Sequence, residues 1–400
     1  MDFEFLQELI IPAQTKIAMI IMDGLGGLPM EPGGKTELET ARTPNLDALA
    51  MQSALGLTVP LGPGITVESG PGHLGIFGYD PIQYRIGRGV LEAVGVEFDL
   101  GPKDVAARGN FCSVDAAGVV MDRRAGRIPT DASKELSKFL TTKIEDVEIF
   151  VETVREHRLA IVLRGPELGA ALTGTDPLKN GKPPLPLHSL NPDSEKTARI
   201  VNQFIERART LLASRQPANM ILVRGFDSYP RLPLFPEVFG LHAAAIAVNP
   251  TYRGIAKLVG MQVLKVDGGT VADEFTALEK NWSDYDFFYL HVKNTDIAGE
   301  DGDFARKVSV IEEVDALMPR LMALKPDVMI VSGDHSTPAV LKGHSWHPVP
   351  TLLYGKYVRA DGIAEFGERA CARGGLGVLP AKDIMPLALA NAQRIEKFSS

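Results

Sequence analysis

The sequence predicts an α/β fold with a largely parallel sheet. Short apolar runs bounded by polar residues or glycine recur along the chain, and such runs are typical of buried strands. Longer segments between them repeat their apolar residues with the period of an α-helix. Strands that alternate with helices in this way favour parallel sheets flanked by helices.

Six runs have the length and composition of buried strands. Ile17–Met22, with the sequence IAMIIM, contains no polar residue. The other five are Leu159–Leu163, Met220–Val223, Ala243–Val248, Phe287–Val292 and Val328–Val331.

Three segments have clear helical features. Thr43 followed by Pro44 predicts a helix start, because threonine caps helices and proline is favoured at the first helical position. The segments Ser194–Arg215 and Phe304–Leu324 place apolar residues on one helical face. Pro319 is expected to kink or split the second of these, because proline lacks the backbone N–H of a helix interior.

The composition indicates a globular protein of two or three domains. The chain has 400 residues, of which 45% are hydrophobic and 23% charged. A net charge of −8 argues against a protein that binds nucleic acid or acidic membranes, whereas it is compatible with a small-molecule substrate. Two cysteines cannot form a disulfide framework. The first ten residues carry no Lys or Arg and no apolar run approaches a membrane span, so we expect a cytoplasmic protein.

Two segments nearly match nucleotide-binding motifs, but each lacks one required glycine. Asp23–Pro29 (DGLGGLP) follows a strand and nearly matches G-x-G-x-x-G, but Pro29 stands where the third glycine is needed for close helix packing. Gly33–Thr36 (GGKT) resembles the end of a P-loop, whose first glycine would also fall at position 29. The same proline therefore excludes both interpretations.

Acidic residues and histidines follow the predicted strands. Asp23 comes directly after the first strand, Asp296 a few residues after FFYLHV, and the pair Asp334-His335 after VMIVSG. Ligands bind at the carboxyl ends of parallel strands, and carboxylate and imidazole groups are metal ligands. Four of the eight histidines fall between positions 291 and 347. Each residue alone is also typical of a turn, a cap or the surface, but the joint pattern predicts a metal site.

The stretch Gly64–His73, with the sequence GITVESGPGH, allows two interpretations. Its glycines and proline are typical of a turn with no chemical role. The alternative is that the turn presents Ser69 as a nucleophile.

Several segments together resemble the cofactor-independent, or 2,3-bisphosphoglycerate-independent, phosphoglycerate mutases of the archaeal-type branch, within the alkaline phosphatase superfamily. The resemblance runs roughly from position 17 to position 390. The segments that carry it are Met22–Gly27 (MDGLGG), Ser69–Pro81 (SGPGHLGIFGYDP), Asp122–Ile128 (DRRAGRI), Thr295–Phe304 (TDIAGEDGDF), Ser332–Pro338 (SGDHSTP) and His344–Pro350 (HSWHPVP).

The resemblance implies a catalytic serine between two divalent metal ions. Ser69 matches the nucleophile, with His73 in the same element as a substrate-binding residue. The implied ligands are Asp23, Ser69, Asp334 and His335 for one metal ion and Asp296, Glu300 and His344 for the other.

Position 300 departs from the family pattern. Many relatives have histidine where this chain has Glu300, and a carboxylate there favours Mn²⁺ or Mg²⁺ over Zn²⁺, with Co²⁺ a further alternative. His347 is an alternative ligand to Glu300. No bisphosphoglycerate cofactor is implied.

The resemblance also implies an alkaline-phosphatase-like, mainly parallel sheet flanked by helices, with a smaller α/β domain inserted in it. We expect a discontinuous catalytic domain over 1–105 plus 259–400 and an inserted substrate-binding domain over 106–258. Arginines of the insertion are expected to bind phosphate or carboxylate, although surface ion pairs would explain most of them equally well. The four selected are Arg123, Arg127, Arg224 and Arg253.

The implied reaction interconverts 3-phosphoglycerate and 2-phosphoglycerate through a phosphoserine. A two-metal phosphatase, or a hydrolase of another phosphate or phosphonate ester, would use the same serine and metal chemistry, and fold alone does not separate them. A catalytically silent binding protein is the third alternative. Whether the chain forms a homo-oligomer is left open.

Overall fold

The computed structural model describes residues 2–399, which form two compact units. The first unit runs up to Arg85 and resumes at Leu232, and the second unit is the segment Ile86–Arg231. The first unit is therefore discontinuous in sequence, and the second is an insertion in it.

The strands and helices are numbered in chain order. The strands are β1 (Ile17–Met22), β2 (Ser53–Val59), β3 (Asp104–Val114), β4 (Val120–Asp122), β5 (Thr142–Ile144), β6 (Val147–Arg155), β7 (Arg158–Arg164), β8 (Met220–Ser228), β9 (Ala243–Ala247), β10 (Gln262–Val263), β11 (Phe287–Val292), β12 (Val328–Ser332), β13 (Val349–Gly355) and β14 (Gly377–Pro380). The helices are α1 (Phe3–Leu9), α2 (Glu37–Thr40), α3 (Pro44–Ala50), α4 (Ser69–Ile76), α5 (Arg88–Gly95), α6 (Thr130–Leu140), α7 (Glu195–Leu212), α8 (Phe235–Phe239), α9 (Pro250–Leu258), α10 (Val271–Lys280), α11 (Asn294–Asp301), α12 (Phe304–Ala323), α13 (Glu368–Cys371) and α14 (Ile384–Asn391), with short 3-10 helices at Ala125–Arg127, Pro192–Ser194 and Ala381–Asp383.

The boundaries of the insertion differ from the predicted positions 106 and 258 at both ends. Helix α5 belongs to the second unit because it packs against β3; a Cβ atom on Gly89 would lie only 2.6 Å from the Cα of Ala107. Strand β9 belongs to the first unit because it pairs in parallel with β11, where Ala243 lies opposite Phe287. The insertion therefore starts and ends earlier in the sequence than predicted.

The first unit contains the predicted sheet. Its strand order is β10-β9-β11-β1-β12-β13-β2-β14, and the run from β10 to β12 is parallel throughout. Strands β1, β9, β11 and β12 are buried along their whole length, which is why they read as unbroken apolar runs. The α/β class and the mainly parallel sheet are thus confirmed.

Strand β13 is the exception within this sheet. It runs antiparallel to both β12 and β2. Its residues are buried like those of its neighbours, so its apolar composition does not distinguish an antiparallel strand from a parallel one. Strands β2 and β13 were not among the predicted six.

Helix α12 is continuous, so the prediction that Pro319 splits it is wrong. Proline at this position leaves the carbonyl of Asp315, four residues earlier, without its helical donor. Asn45 supplies a replacement, because its Nδ2 donates to that carbonyl oxygen at 3.1 Å. The helix therefore keeps its polar groups paired across the proline.

The second unit is built on an antiparallel sheet, unlike the first. Its order is β4-β3-β7-β6-β5, and β8 pairs with β3. The predicted strands Leu159–Leu163 and Met220–Val223 lie in β7 and β8. Helices α5, α6 and α7 pack against this sheet, and buried side chains of the sheet, α6 and α7 form a separate core. Among the described residues, no helix is both long and apolar enough to cross a membrane.

Candidate metal centre

The candidate site lies at the carboxyl ends of three neighbouring strands of the first unit. Strands β11, β1 and β12 are adjacent and parallel, with Met22 opposite Val292 and Ile21 opposite Ser332. The three predicted aspartates follow these strand ends and are buried. The topology therefore brings Asp23, Asp296 and Asp334 to one edge of the sheet, as the sequence suggested.

One group of ligand atoms forms around His335. The ligand atoms of Asp23, Asp334 and His335 lie within 4.8 Å of one another. His335 Nε2 is 3.4 Å from Asp23 Oδ1, 3.2 Å from Asp334 Oδ2 and 3.2 Å from Ser69 Oγ. Ser69 thus lies beside His335 of the predicted ligand set.

A second group shares His335 with the first. It consists of Asp296, His335 and His344, again with ligand atoms within 4.8 Å of one another. His344 Nε2 is 3.5 Å from Asp296 Oδ1, and the two imidazole rings stack with centroids 3.7 Å apart. The two groups are therefore neighbours.

The hydrogen bonds fix which nitrogen of each histidine faces the site. The hydroxyl of Thr337 donates its single proton to Asp296 Oδ1 at 2.6 Å, because a carboxylate can only accept. Thr337 must then accept from His335 Nδ1, 3.0 Å away, which leaves a lone pair on Nε2. His344 Nδ1 donates to the carbonyl of Val67 at 2.8 Å, so its Nε2 also carries a lone pair. Both histidines present the nitrogen that a metal ligand needs.

These groups fit divalent metal ions. Burial lowers the pKa of His335, so its ring is neutral, and its lone pair faces two carboxylate oxygens. Among the described residues, Asp23 Oδ1 receives no hydrogen bond. Burial would raise the pKa of Asp23, but the Lys293 ammonium and the hydrogen bond from His291 hold it well below its usual value. A cation between electron-rich atoms gathered this closely would stabilise them, and this donor set suits a divalent metal ion.

Lys293 and Tyr252 belong to the site although sequence reasoning did not identify them. Lys293 Nζ donates to Asp23 Oδ2 at 3.0 Å, to Asp296 Oδ2 at 2.6 Å and to Tyr252 Oη at 2.8 Å. Tyr252 donates in turn to Ser69 Oγ at 3.1 Å. Burial alone would lower the pKa of Lys293, but the two aspartates raise it above its ordinary value. The only available signal was that Lys293 comes directly after a strand.

Ser69 is the first residue of helix α4, so the stretch GITVESGPGH is more than a turn. The glycines that follow the serine allow a close approach between chain segments. A Cβ atom on Gly72 would lie 2.6 Å from the backbone oxygen of Asp334. Glycine at this position therefore lets α4 bring Ser69 against the loop that carries two candidate ligands.

The side chain of His73 is buried next to the backbone of Ser69 and does not line an open site. Its side chain is fully buried, and its Nδ1 is 2.9 Å from the carbonyl oxygen of Ser69 and 3.0 Å from Asp334 Oδ2. Burial would lower the pKa of His73, but the Asp334 carboxylate raises it above its ordinary value. This placement suits a residue that orients Asp334, in contrast to the predicted contact with substrate.

Glu300 and His347 are less closely placed than the other candidates. Glu300 Oε1 is 3.8 Å from His344 Nε2, and its side chain is 55% exposed. His347 stacks on Trp346, and its Nδ1 is 3.0 Å from the hydroxyl of Ser345. Neither residue belongs to the two ligand groups found among residues 2–399.

Comparisons with known proteins identify the family of this chain. Residues 50–219 match the family model of 2,3-bisphosphoglycerate-independent phosphoglycerate mutase. Two relatives carry the name probable 2,3-bisphosphoglycerate-independent phosphoglycerate mutase. The protein from Thermotoga sp. strain RQ2 is 52% identical to this chain over 400 residues, which cover 99% of both chains. The protein from a strain of Thermus thermophilus is 51% identical over 403 residues, which cover 100% of this chain and 99% of the relative. The chain belongs to this family. It is therefore an isomerase, as the resemblance predicted.

Solved structures support the same assignment. A protein from Pyrococcus horikoshii aligns with a TM-score of 0.83 at 31% identity, over 97% of this chain and 100% of the other. A cofactor-independent phosphoglycerate mutase from Thermoplasma acidophilum aligns with a TM-score of 0.77 at 30% identity, over 95% of this chain and 100% of the other. The two-unit fold is thus shared with this enzyme family.

The predicted arginines of the enzyme fall into different environments. Arg123 forms two hydrogen bonds with the buried carboxylate of Asp176, at 2.7 and 2.6 Å. Arg224 Nε is 3.5 Å from the same carboxylate. Arg127 is exposed at the end of a 3-10 helix. Arg253 lies on α9, so it belongs to the first unit and not to the insertion.

Three further arginines of the second unit surround Glu92. Arg108 Nη1 is 3.4 Å and Arg158 Nε is 4.0 Å from Glu92 Oε1, and Arg88 adds its charge to the same carboxylate. Arg108 lies directly opposite Arg224 in the pairing of β3 with β8. Burial, together with the charges of the neighbouring arginines, lowers the pKa of Arg108 to about 10. Strand pairing creates this basic cluster, so no local motif could have indicated it.

Proposed function

We propose that the enzyme interconverts 3-phosphoglycerate and 2-phosphoglycerate, with Ser69 as the residue that carries the phosphoryl group. The observation that supports this best is the position of Ser69 Oγ, 3.2 Å from His335 Nε2 within a buried metal-ligand set. The membership of the family supports the substrate. Glycolysis and gluconeogenesis, and hence the cytoplasm, are the setting we propose.

The proposed metal ligands follow the two groups around His335. Asp23, Ser69, Asp334 and His335 would hold one Mn²⁺ or Mg²⁺ ion, and Asp296, Glu300 and His344 would hold the other. When bound, such ions favour ionised oxygen at the serine and neutralise phosphoryl oxygens. Zn²⁺ and Co²⁺ are alternative metals for the same ligands.

The residues around Ser69 orient it for attack on phosphorus. Tyr252 donates to Ser69 Oγ, and Lys293 donates to Tyr252, so one lone pair of the serine is engaged and its direction is set. The gap between Asp23 and Asp296 is bridged by the Lys293 ammonium. A serine held in this way loses little rotational freedom when the substrate arrives.

The proposed reaction consists of two phosphoryl transfers, in which bonds and protons balance. In the first, a bond forms between Ser69 Oγ and phosphorus while the bond from phosphorus to the 3-oxygen of glycerate breaks. Glycerate stays bound and its 2-oxygen attacks the phosphoserine, which restores Ser69. The proton lost by the serine in the first transfer returns in the second, and the glycerate hydroxyls exchange one proton in the same way.

The basic cluster of the second unit is proposed to bind the anionic groups of the substrate. Arg88, Arg108, Arg158 and Arg224 together exceed the charge of Glu92, and planar guanidinium groups bind carboxylate or phosphate with paired hydrogen bonds. Arg123 is already engaged by Asp176, so we assign it to holding the cluster in place. Arg127 and Arg253 remain candidates for substrate contact.

Product analysis tests the proposal. The Mn²⁺-loaded protein is incubated with 3-phosphoglycerate, without bisphosphoglycerate, while enolase consumes 2-phosphoglycerate and a second assay follows inorganic phosphate. We expect 2-phosphoglycerate and little phosphate. Release of phosphate without 2-phosphoglycerate would identify a phosphatase instead, and turnover of neither kind would favour a silent binding protein.

A serine variant tests the nucleophile. Ser69→Ala should lower turnover by about 10⁴-fold or more, because no other group occupies its place. Mass spectrometry of acid-quenched wild-type enzyme should find a phosphate on Ser69. Ser309→Ala, on the solvent side of α12, is the matched control and should keep full activity. Retained turnover in Ser69→Ala would remove the serine from the mechanism.

A further inference from the structure

A lysine lies buried beneath the metal-site loops of the first unit. Lys307, on α12, is completely inaccessible to solvent. Its Nζ donates to three backbone carbonyls, those of Gly24 at 2.9 Å, Gly26 at 3.1 Å and Thr337 at 2.9 Å. An ammonium group has three protons, so each one is used on a main-chain oxygen.

The three carbonyls belong to two different loops. Gly24 and Gly26 follow Asp23 after β1, whereas Thr337 follows Asp334 and His335 after β12. The loops also meet directly, because the backbone N–H of Thr337 is shared between the oxygens of Gly24 and Gly26, at 3.2 and 3.0 Å. Lys307 therefore holds together carbonyl dipoles that would otherwise repel one another.

The local packing depends on this convergence. Gly24 has a φ of +62°, and a Cβ there would lie 2.8 Å from Asp296 Oδ1. The hydroxyl of Thr337 donates a hydrogen bond to Asp296 and accepts one from His335. A displacement of either loop would consequently alter ligands of both metal groups.

Burial of a charged lysine is expensive, and the surrounding charges only partly offset it. Burial lowers the pKa of Lys307, while Glu37 and Glu368 exert the strongest opposing attraction. Both carboxylates hold the same region, since Glu368 Oε1 accepts from the N–H of Gly27 at 2.9 Å and Glu37 Oε1 from that of Ala339 at 2.7 Å. Lys307, Glu37 and Glu368 are thus grouped behind the ligand loops.

We propose that Lys307 is a positioning residue that sets the spacing between Asp23 and the Asp334-His335 pair, and thereby the affinity for divalent metal ions. This inference rests on the proposed metal ligands. Residues that orient metal ligands without touching the metal typically change metal affinity about 10- to 100-fold when altered. Lys307 acts on the loop backbones, so its effect should reach both metal groups.

Metal titration of the full-length protein tests this role. Lys307→Met retains the bulk of the side chain and removes all three donors, and Lys307→Gln retains two donor protons. We expect the Kd for Mn²⁺, measured by calorimetry, to rise about 10- to 100-fold in Lys307→Met and less in Lys307→Gln. Saturating Mn²⁺ should restore kcat, and KM for 3-phosphoglycerate should change less than about twofold.

Arg394→Met is the matched control. Arg394 is another buried cation of the first unit, 2% exposed, and it donates to the backbone oxygen of Thr15 at 2.6 Å. Its variant should unfold at a lower temperature yet bind Mn²⁺ like the wild type. A folded Lys307→Met or Lys307→Gln protein with wild-type Mn²⁺ affinity would overturn the inference. Failure of the wild type to bind Mn²⁺ would instead contradict the proposed metal site.

Discussion

The candidate metal centre of the first unit and the basic cluster of the second are charge clusters of opposite sign. Three buried aspartates lie close together in the first unit, and two of them, Asp23 and Asp296, pair with the ammonium of Lys293. In the second unit, Glu92 and Asp176 face five arginines, which are Arg88, Arg108, Arg123, Arg158 and Arg224. The first cluster is complementary to cations and the second to anions. An enzyme for a metal-assisted reaction of a phosphorylated acid needs both.

The two clusters also differ in how they are built. Asp23, Asp334 and His335 of the first lie on loops at strand ends, and hydrogen bonds to the backbone fix those loops. Several arginines of the second extend from the faces of paired antiparallel strands. Short side chains on a fixed backbone suit the narrow geometry of a metal ion, whereas long guanidinium side chains can adjust to a substrate.

The largest effect should come from neutralising one acid of the first cluster. In Asp334→Asn the amide can donate to the lone pair of His335, so a cation is no longer required there. We expect Mn²⁺ affinity to fall at least about 100-fold and turnover at least about 10³-fold. Calorimetry and the enolase-coupled assay measure both. Asp315→Asn, which removes a buried carboxylate that caps α3, should lower stability and keep Mn²⁺ affinity.

Removal of one guanidinium should affect the second cluster only. Arg224→Met loses charge-assisted hydrogen bonds worth roughly 1.5–3 kcal/mol each, so kcat/KM should fall about 10- to 100-fold. The Kd for Mn²⁺ should not change. Arg199→Met, whose surface partner is Glu145, is the control and should behave like the wild type. An equal loss of Mn²⁺ affinity in Arg224→Met would break the division between the two clusters.

The two units should respond to pH in opposite directions. In the first, burial raises the pKa of Glu368 to about 7 and that of Glu274 to about 8. In the folded protein these two carboxyl groups keep a proton that the unfolded chain loses near pH 4.5. They therefore stabilise the fold at low pH, and this contribution to stability is lost as the pH rises through 7 to 8. In the second, burial lowers the pKa of His157 to about 4. Its contribution is present above pH 6.5 and is lost as pH falls through 4.

Hydrogen exchange with peptide resolution can follow each unit separately. After correction for intrinsic rates, protection of the first unit should decline toward pH 8 and that of the second toward pH 4. Glu368→Gln should flatten the first profile, and His157→Asn the second. Parallel profiles in both units, or variants without effect on the slopes, would contradict the assignment of these groups.

The smallest effect concerns metal preference. Glu300 lies at the edge of the second metal group, so Glu300→His should change Mn²⁺ affinity less than about tenfold. Imidazole in place of carboxylate should shift the ratio of Zn²⁺ to Mn²⁺ affinity toward Zn²⁺. Competition titrations measure this ratio, with Glu313→His on the outer part of α12 as the control. An unchanged ratio would exclude Glu300 as a ligand.

The parts of this molecule that the sequence predicts are those in which local pattern and topology agree. Asp23 and Asp334 follow buried strands, and adjacent parallel strands must bring such residues together. Tyr252 and Lys307 could not be found in this way, because they reach the site from helices whose packing leaves no local trace. Arg108 and Arg224 meet through antiparallel register, which the apolar runs of β3 and β8 do not reveal.

The discontinuity of the first unit has a consequence for how the enzyme is made. Ser69 and His335 are 266 positions apart, and the entire second unit lies between them in the sequence. At about 5–20 residues per second, translation separates the two by roughly 15 to 50 seconds. The ribosome therefore delivers the complete second unit before the nascent chain possesses the last of the proposed metal ligands. Metal acquisition is thus confined to the last stage of synthesis or to the released chain.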